Sequence, residues 1–546
     1  MKIANVIITC FVLPMVCVFC GCEPPIEAPQ TAPLSPQATI GSVAQNAATE
    51  AIPVQGIGIV AGLSGTGSSE CPPSIRQQLE KYIWQQVPEA GSVNPRAIID
   101  SEDTAVVEIM GVIPSYATTL ELFDVQLRPL SSTQTTSLDG GYLYTAQLKE
   151  MSRLTSVEQF TRFSKTLAAA EGPVYSVKNQ TGSEKQWYVL GGGRALQNST
   201  VKIILNEPDF ITANTIRNRI NERFGPRIAS PISTSEIRVV FPNRYLDQKR
   251  RFLRMIETLL LAENPQIRNE YIQTLIEQLV AKENIENAEI ALEGIGKPAL
   301  DQLAELLNHA DPEVRFHAAR CMTHIGDDRQ LAYMRNLINS NNPFRIDAIK
   351  AVGLNANHRD AVSILTPVLS DPDVSVRLEA YTILARLQGP AITRKIIADG
   401  GFFVDSVICP GPKLVYVYQS KSPRIVIFGS PVYCKDNIFI QSEDGSVTLN
   451  ARSGDNYISV SRKHPNRPRV IGPLSSSYEL SILLQTLGDL PEVSGQSSSS
   501  RPGLAVPYSE ITRILKKMAD QGAVLAQYAE GPSPQIESVL QSSASD

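Results

Sequence analysis

Histidine is scarce in this chain, five in 546 residues, and none lies between positions 53 and 263. That long stretch lacks the usual general base. No Gly-x-Ser-x-Gly elbow replaces it, because Gly62-Leu-Ser-Gly65 is followed by Thr66. No enzyme is indicated, and with it no cofactor. Positive charge is not in excess either, since the formal net charge is −5. Such a balance gives no electrostatic footprint for nucleic acid, and the basic spots Lys249-Arg-Arg251 and Lys516-Lys517 read as solvated helix faces. After Phe19 no run is long and apolar enough to span a bilayer. Of eight cysteines, only Cys71, Cys321, Cys409 and Cys434 lie beyond position 22. Cys409 and Cys434 share a strand-rich region and could pair in an oxidising compartment, although sequence does not say whether their Cα atoms come close.

What is present begins with Gln55-Gly-Ile-Gly-Ile-Val-Ala-Gly-Leu-Ser-Gly-Thr-Gly67, five glycines in thirteen residues. Glycine permits positive φ and close backbone approach, so this stretch predicts a tight structural turn and not a free linker. A phosphate-binding P-loop is excluded because Ser68-Ser69 follow Gly67, leaving no lysine. A dinucleotide fingerprint is met only loosely by Gly56, Gly58 and Ala61, with more Gly and Ser where that motif needs a helix.

Further along, Thr104 to Ile113 and Val201 to Leu205 are β-branched and aliphatic and end in turn residues, as strands do. Between Phe210 and Gly225 the apolar period changes, with Ala213, Ile216, Ile220 and Phe224 on one helical face and Gly225-Pro226 as the stop. Ile237 to Phe241 reads as a strand, and Phe252, Met255, Ile256, Leu259 and Leu260 as the apolar face of a following helix. Asp100, Glu102 and Asp103 read as a solvated loop.

Six segments in order carry a likeness to one family. They are the glycine-rich stretch, Val106-Val-Glu-Ile-Met-Gly-Val-Ile-Pro114, Phe123-Asp-Val-Gln-Leu-Arg-Pro-Leu130, Ser137-Leu-Asp-Gly-Gly-Tyr-Leu143, Ile203-Ile-Leu-Asn-Glu-Pro-Asp-Phe210, and Pro507-Tyr-Ser-Glu-Ile-Thr-Arg-Ile-Leu515 with Gln521-Gly-Ala-Val-Leu525. Together they resemble the flagellar P-ring protein, the periplasmic ring subunit around the bacterial flagellar rod. The resemblance implies a homo-oligomeric ring, with the flagellar rod and outer ring proteins as partners, at the basal body in the periplasm. Its role would be steric, without turnover. It also suggests that Gly56, Gly58, Gly62, Gly65, Gly67 and the turn Asp139-Gly140-Gly141 lie near the subunit contacts.

Lys2 and the apolar run Ile3 to Phe19 suit a secretory leader. Phe19-Cys20-Gly21-Cys22 looks like a lipobox, with Cys22 the lipidated residue because Gly21 precedes it, whereas bulky Phe19 precedes Cys20. Acyl chains at about 0.8 kcal/mol per buried methylene would anchor the chain to a membrane, most simply the outer one. This departs from typical P-ring subunits. The Pro-, Ala- and Gln-rich stretch that follows, to residue 52, reads as a disordered tether.

Asp311-Pro-Glu-Val-Arg315, Asn342-Pro-Phe-Arg345 and Asp371-Pro-Asp-Val374 recur about every thirty residues, each reading as an Asx N-cap with Pro at the first helical position. Apolar stripes follow, such as Val314, Ala318, Cys321, Met322 and Ile325, so helix pairs stack into a short HEAT-like solenoid. His317, Cys321 and His324 fall on one helix at metal-ligand spacing, but packing is the better reading and no metal is expected. The expected fold is multidomain α+β. A leader spans 1–21, a tether 22–52, a P-ring-like α+β core 53–263, and an inserted all-α HEAT-like solenoid 264–398. A small β-rich region (399–489), a Ser-rich linker (490–503), a closing P-ring-like helix (504–528) and a polar tail (529–546) follow. The alternative function is a monomeric envelope lipoprotein scaffold, binding an unknown protein through the HEAT-like repeats.

Overall fold

The computed structural model describes residues 38–47, 50–86, 94–151, 165–178, 185–262, 264–398, 401–463, 470–491, 503–534 and 536. The leader, Cys22 and most of the Ser-rich linker lie outside the described residues. Among those described, no helix is long and apolar enough to cross a membrane.

Strand β1 (Ala44–Asn46) precedes β2 (Ile52–Ala61), β3 (Thr104–Ile113), β4 (Leu122–Pro129), β5 (Tyr142–Glu150), β6 (Thr166–Pro173), β7 (Tyr175–Lys178) and β8 (Lys185–Ala195). The sheet order β4-β3-β2-β5-β6-β8-β7 is closed by β4 pairing with β8, which gives a six-stranded antiparallel barrel with β7 as an extra strand on β8. Closure removes the unpaired edges that an open sheet would present. The barrel explains why β3 is apolar on both faces. Ala105, Val107 and Ile109 point into the barrel core, while Val106 packs outside with Ile59, Ile75 and Leu79 beneath the helix Pro73–Gln86. The reading of residues 53–263 as one α+β core is therefore refined into a barrel and a separate α/β unit.

That second unit is the sheet β1-β9-β11-β10, formed with β9 (Val201–Leu205), β10 (Ala229–Pro231) and β11 (Glu236–Val239). The helices Phe210–Phe224 and Lys249–Glu257 cover it. Asp209 caps the first through Thr212 N, and Gly225 (φ 116°) ends it, as the sequence implied. Phe252 stacks among Phe224, Phe241 and Tyr245 at 4.8 to 5.7 Å, each contact worth about 0.5–1.5 kcal/mol beyond area burial. Residues 38–47 correct the tether boundary. Ile40 is buried and donates to Leu259 O at 2.9 Å, and β1 pairs with β9, so a strand's backbone bonds and an apolar anchor order this stretch.

The helical array runs from Pro265–Ala281 to Val374–Arg386. Only the first repeat starts as expected, with Asp311 capping Glu313 N and Pro312 at the first helical position. In the others the Asx side chain makes the same bond two residues on, Asn342 accepting from Phe344 N and Asp371 from Asp373 N, but the helices begin later, at Arg345 and at Val374, the latter capped by Asp373 through Ser375 N.

The array ends earlier than residue 398, because β12 (Ile392–Ile397) joins the next sheet. With β13 (Phe402–Val407), β14 (Leu414–Tyr418), β15 (Arg424–Phe428), β16 (Ile438–Gln441), β17 (Val447–Ala451), β18 (Ile458–Lys463), β19 (Val470–Ser476) and β20 (Gln527–Glu530) it builds two sheets, β12-β13-β15-β14-β20 and β16-β17-β18-β19. The first is buried on both faces. Phe402, Val404, Val417, Ile425 and Ile427 pack with the helices Leu480–Gly488 and Tyr508–Asp520, while Val407, Leu414, Val426 and Phe428 pack on the array. The closing helix and the β-rich region thus share one core. Residues 527–530, expected in or beside a polar tail, are a strand, and Ile536 is buried. Cys409 and Cys434 are free thiols packed against these two different cores, on opposite sides of the sheet, which accounts for their not pairing.

Candidate functional site

Three stretches far apart in the chain meet at one cleft of about 510 Å3. The turn after β2 supplies Gly62 and Ser64, the turn before β5 supplies Asp139 and Gly140, and the head of the helix Tyr508–Asp520 supplies Pro507, Ser509 and Glu510. The glycine-rich turn is sewn to its neighbours by backbone bonds. Leu63 N donates to Asp103 O and Ser68 N to Thr104 O, while Thr136 N donates to Thr66 O. Asp103, read as part of a solvated loop, accepts from Gly65 N at 2.9 Å.

Two ion pairs stand in the cleft. Asp139 accepts from Lys185 Nζ at 2.7 Å and Trp187 Nε1 at 3.0 Å. Burial alone would raise its carboxyl, but these donors hold it below the usual range. Glu510 is 9% exposed and pairs with Arg513 at 2.9 Å, and burial pushes it above the ordinary glutamate value. Arg462 donates to Leu504 O at 2.9 Å. Tyr508, stacked on Tyr175 of the barrel, donates to Tyr418 O and accepts from Arg424 N, which docks the closing helix on both units. Lys185, Arg462 and Glu510 were not singled out from the sequence, because their meeting depends on contacts across hundreds of residues.

The glycines divide into two kinds. Gly62 (φ 81°), Gly65 (φ 73°) and Gly140 (φ 76°) are exposed, left-handed and face open space. Gly56, Gly58, Gly67 and Gly141 are packed inward. A Cβ at Gly56 would stand 2.4 Å from Gln147 O, at Gly58 2.8 Å from Ile109, at Gly67 2.0 Å from Thr104 O, and at Gly141 2.4 Å from Val60. Close packing inside the barrel and its turns explains these four. A place at a subunit contact is therefore withdrawn for the buried Gly56, Gly58 and Gly141.

A second polar cluster joins the α/β unit to the array. Lys249 pairs with Glu121 of the barrel at 2.6 Å, and Arg251 pairs with buried Glu293 at 2.6 Å, so this basic spot is structural and not a solvated face. Arg223 donates to Glu293 O and Gly294 O. One turn earlier, buried Glu289 takes His317 Nδ1 at 2.9 Å and Arg320. Burial alone would raise Glu289, yet His317 and Arg320 keep it low, whereas burial holds Glu293 high even beside Arg251. Cys321 is fully buried against the backbone O of Glu289, the same residue that holds His317, while His324 turns to Asn355 at 3.0 Å, so the three side chains at metal-like spacing do not converge on one point. Among the described residues no group of three or more His, Cys, Asp or Glu side chains could hold a metal ion.

A barrel with an α/β unit, followed by stacked helix pairs, defines a two-part class, and comparison with known proteins gives both parts. The family model for the flagellar P-ring protein matches residues 39–292, and that for HEAT repeats matches residues 272–351. The N-terminal part of the chain is thus related to flagellar P-ring proteins, and a HEAT-repeat region follows it. The flagellar P-ring protein of Thermotoga petrophila is 28% identical over 222 residues, 37% of this chain and 61% of its own length. That of Aquifex aeolicus is 28% identical over 207 residues, covering 35% and 52%, and that of Leptospira interrogans 27% over 229 residues, covering 38% and 58%. The chain therefore spans no more than 61% of the length of these relatives.

Proposed function

We propose that this chain is a structural, non-catalytic subunit of a flagellar P-ring-like periplasmic ring around the rod, anchored by lipid on Cys22. The observation that carries the reading is the meeting of the glycine-rich turn, the Asp139 turn and the Pro507 motif at one cleft, although about 360 residues separate the second from the third. These are the segments whose resemblance to P-ring proteins runs in order, and the array between them leaves their meeting intact. A closed ring needs heterologous contacts, one surface meeting a different surface of the next copy. The exposed turn residues Gly62, Gly65 and Gly140, beside Asp139, remain the contact proposed from the resemblance.

The test is native mass measurement of the detergent-extracted protein, with imaging of envelopes labelled through it. Rings of many copies are expected, and membrane release after Cys22→Ala. Solitary molecules in the presence of rod components would end the ring reading. Gly62→Val with Gly65→Val should abolish assembly while leaving export intact, and normal rings would reject this contact.

A further inference from the structure

We propose that the cleft where the α/β unit, the array and the C-terminal sheet meet is a binding site for a small multivalent oxyanion, a dicarboxylate or phosphomonoester. This goes beyond the ring reading and does not depend on it. The cleft measures about 480 Å3, and its charged walls come from all three units. Asp247 lies in the turn Asn243–Gln248, Lys350, Glu379 and Arg386 on array helices, and Arg394 and Arg424 on β12 and β15.

Four cations thus face two carboxylates, and most of the anionic capacity is already used. Asp247 is held by Arg386, which also donates to Gly353 O. Asp405, fully buried behind the cleft, takes both Nε and Nη2 of Arg394 at 2.8 and 2.7 Å and the Tyr381 hydroxyl at 2.5 Å. The donors are not used up. Arg424 gives Nη1 to Tyr381 at 3.1 Å and lies over the Tyr418 ring, which fixes its guanidinium in the cleft wall. Lys350 is exposed and, among the described residues, enters no ion pair. Glu379 opposes an anion but sits on the array side only.

Guanidinium groups fixed by ion pairs and ring stacking are preorganised for bidentate recognition of carboxylate or phosphate oxygens, and a flexible lysine adds a point charge. A single oxyanion would not fill a cleft of this size, whereas a ligand with two anionic ends could reach from Lys350 to Arg424. Such a ligand would tie the array to the C-terminal sheet.

The experiment is calorimetric titration of the full chain, at constant ionic strength, with glycerol 3-phosphate, succinate and, as a neutral control, glycerol. Saturable one-to-one binding of either dianion and none of glycerol is expected, and which dianion binds separates phosphate from dicarboxylate chemistry. Lys350→Gln, at an exposed position, should weaken binding about tenfold with folding unchanged, and Lys350→Arg should restore it. Arg424→Gln should weaken it further. If Arg424→Gln does not fold, the Lys350 pair decides alone. No saturable heat with either dianion, or equal affinity in Lys350→Gln and the parent, would overturn the proposal.

Discussion

Removing the Glu293 carboxylate tests how the array is fixed to the first half of the molecule. Its side chain is 1% exposed and that of its partner Arg251 is 20% exposed. Glu293→Ala leaves a guanidinium held in the joint without its counter-charge, and breaking a buried pair in this way costs about 3–5 kcal/mol. Arg251 keeps part of its surface in water, so the lower end applies. Hydrogen exchange of the helix Ile285–Ile295 amides reads the loss, since about 3 kcal/mol corresponds to more than a hundredfold faster exchange at roughly 1.4 kcal/mol per factor of ten. Replacing both partners, Arg251→Met with Glu293→Met, removes the unpaired charge and should return exchange to within about tenfold of the parent. A single variant that exchanges like the parent, or a double variant worse than the single, would refute the assignment of this pair as the clasp.

Three further expectations can be checked on the purified chain. Burial, reinforced by Arg251, Arg320 and Arg244, keeps the His324 imidazole well below its ordinary 6.5, so the unfolded chain takes up a proton that the folded chain refuses. Stability is then full above that value and falls below it by up to about 1.4 kcal/mol per pH unit, and His324→Gln should flatten the fall in unfolding midpoint between about pH 7.5 and 5.5. Gly67→Ala should destabilise the barrel far more than Gly62→Ala, because its Cβ meets Thr104 O while that of Gly62 meets open space and costs about 1–2 kcal/mol through its left-handed backbone. Equal unfolding midpoints for the two would contradict this. Tyr381→Phe removes a hydroxyl from buried Asp405 and should cost about 1.5–3 kcal/mol, read by denaturant unfolding, with no change meaning that Arg394 satisfies the carboxylate alone.

Much of the local structure was legible in the sequence. The helix Phe210–Phe224 follows from an Asp cap, a 3.6-residue apolar stripe and a terminal glycine, all carried within the stretch from Asp209 to Gly225. The first repeat helix was legible for the same reason, from its Asp311 cap to its Gly326 stop, whereas the later ones were legible only as apolar stripes. Barrel closure was not, since the pairing of β4 with β8 joins strands about sixty residues apart and leaves no periodic trace in either. The roles of Lys249 and Arg251 were hidden because a cation reads the same whether its partner is water or a buried carboxylate on another unit. Of the cleft, its glycines and Asp139 were visible, while Lys185, Arg462 and Glu510 depend on the closing helix folding back against the barrel.

The array is bonded at its entry through Arg251 and Glu293 and at its exit through Tyr381 and Asp405, while Asp124 of the barrel accepts from both Gly191 N and Lys421 N at 2.7 Å. The polypeptide therefore forms a circuit, and the solenoid is its gauge block. Adding or deleting one helix pair would displace the exit by about 10 Å, the spacing of packed helices, and pull Lys421 away from Asp124. Repeat number in this molecule is consequently set by dimension, and variants of different repeat count could close the circuit only by reshaping the seam between barrel and terminal sheet.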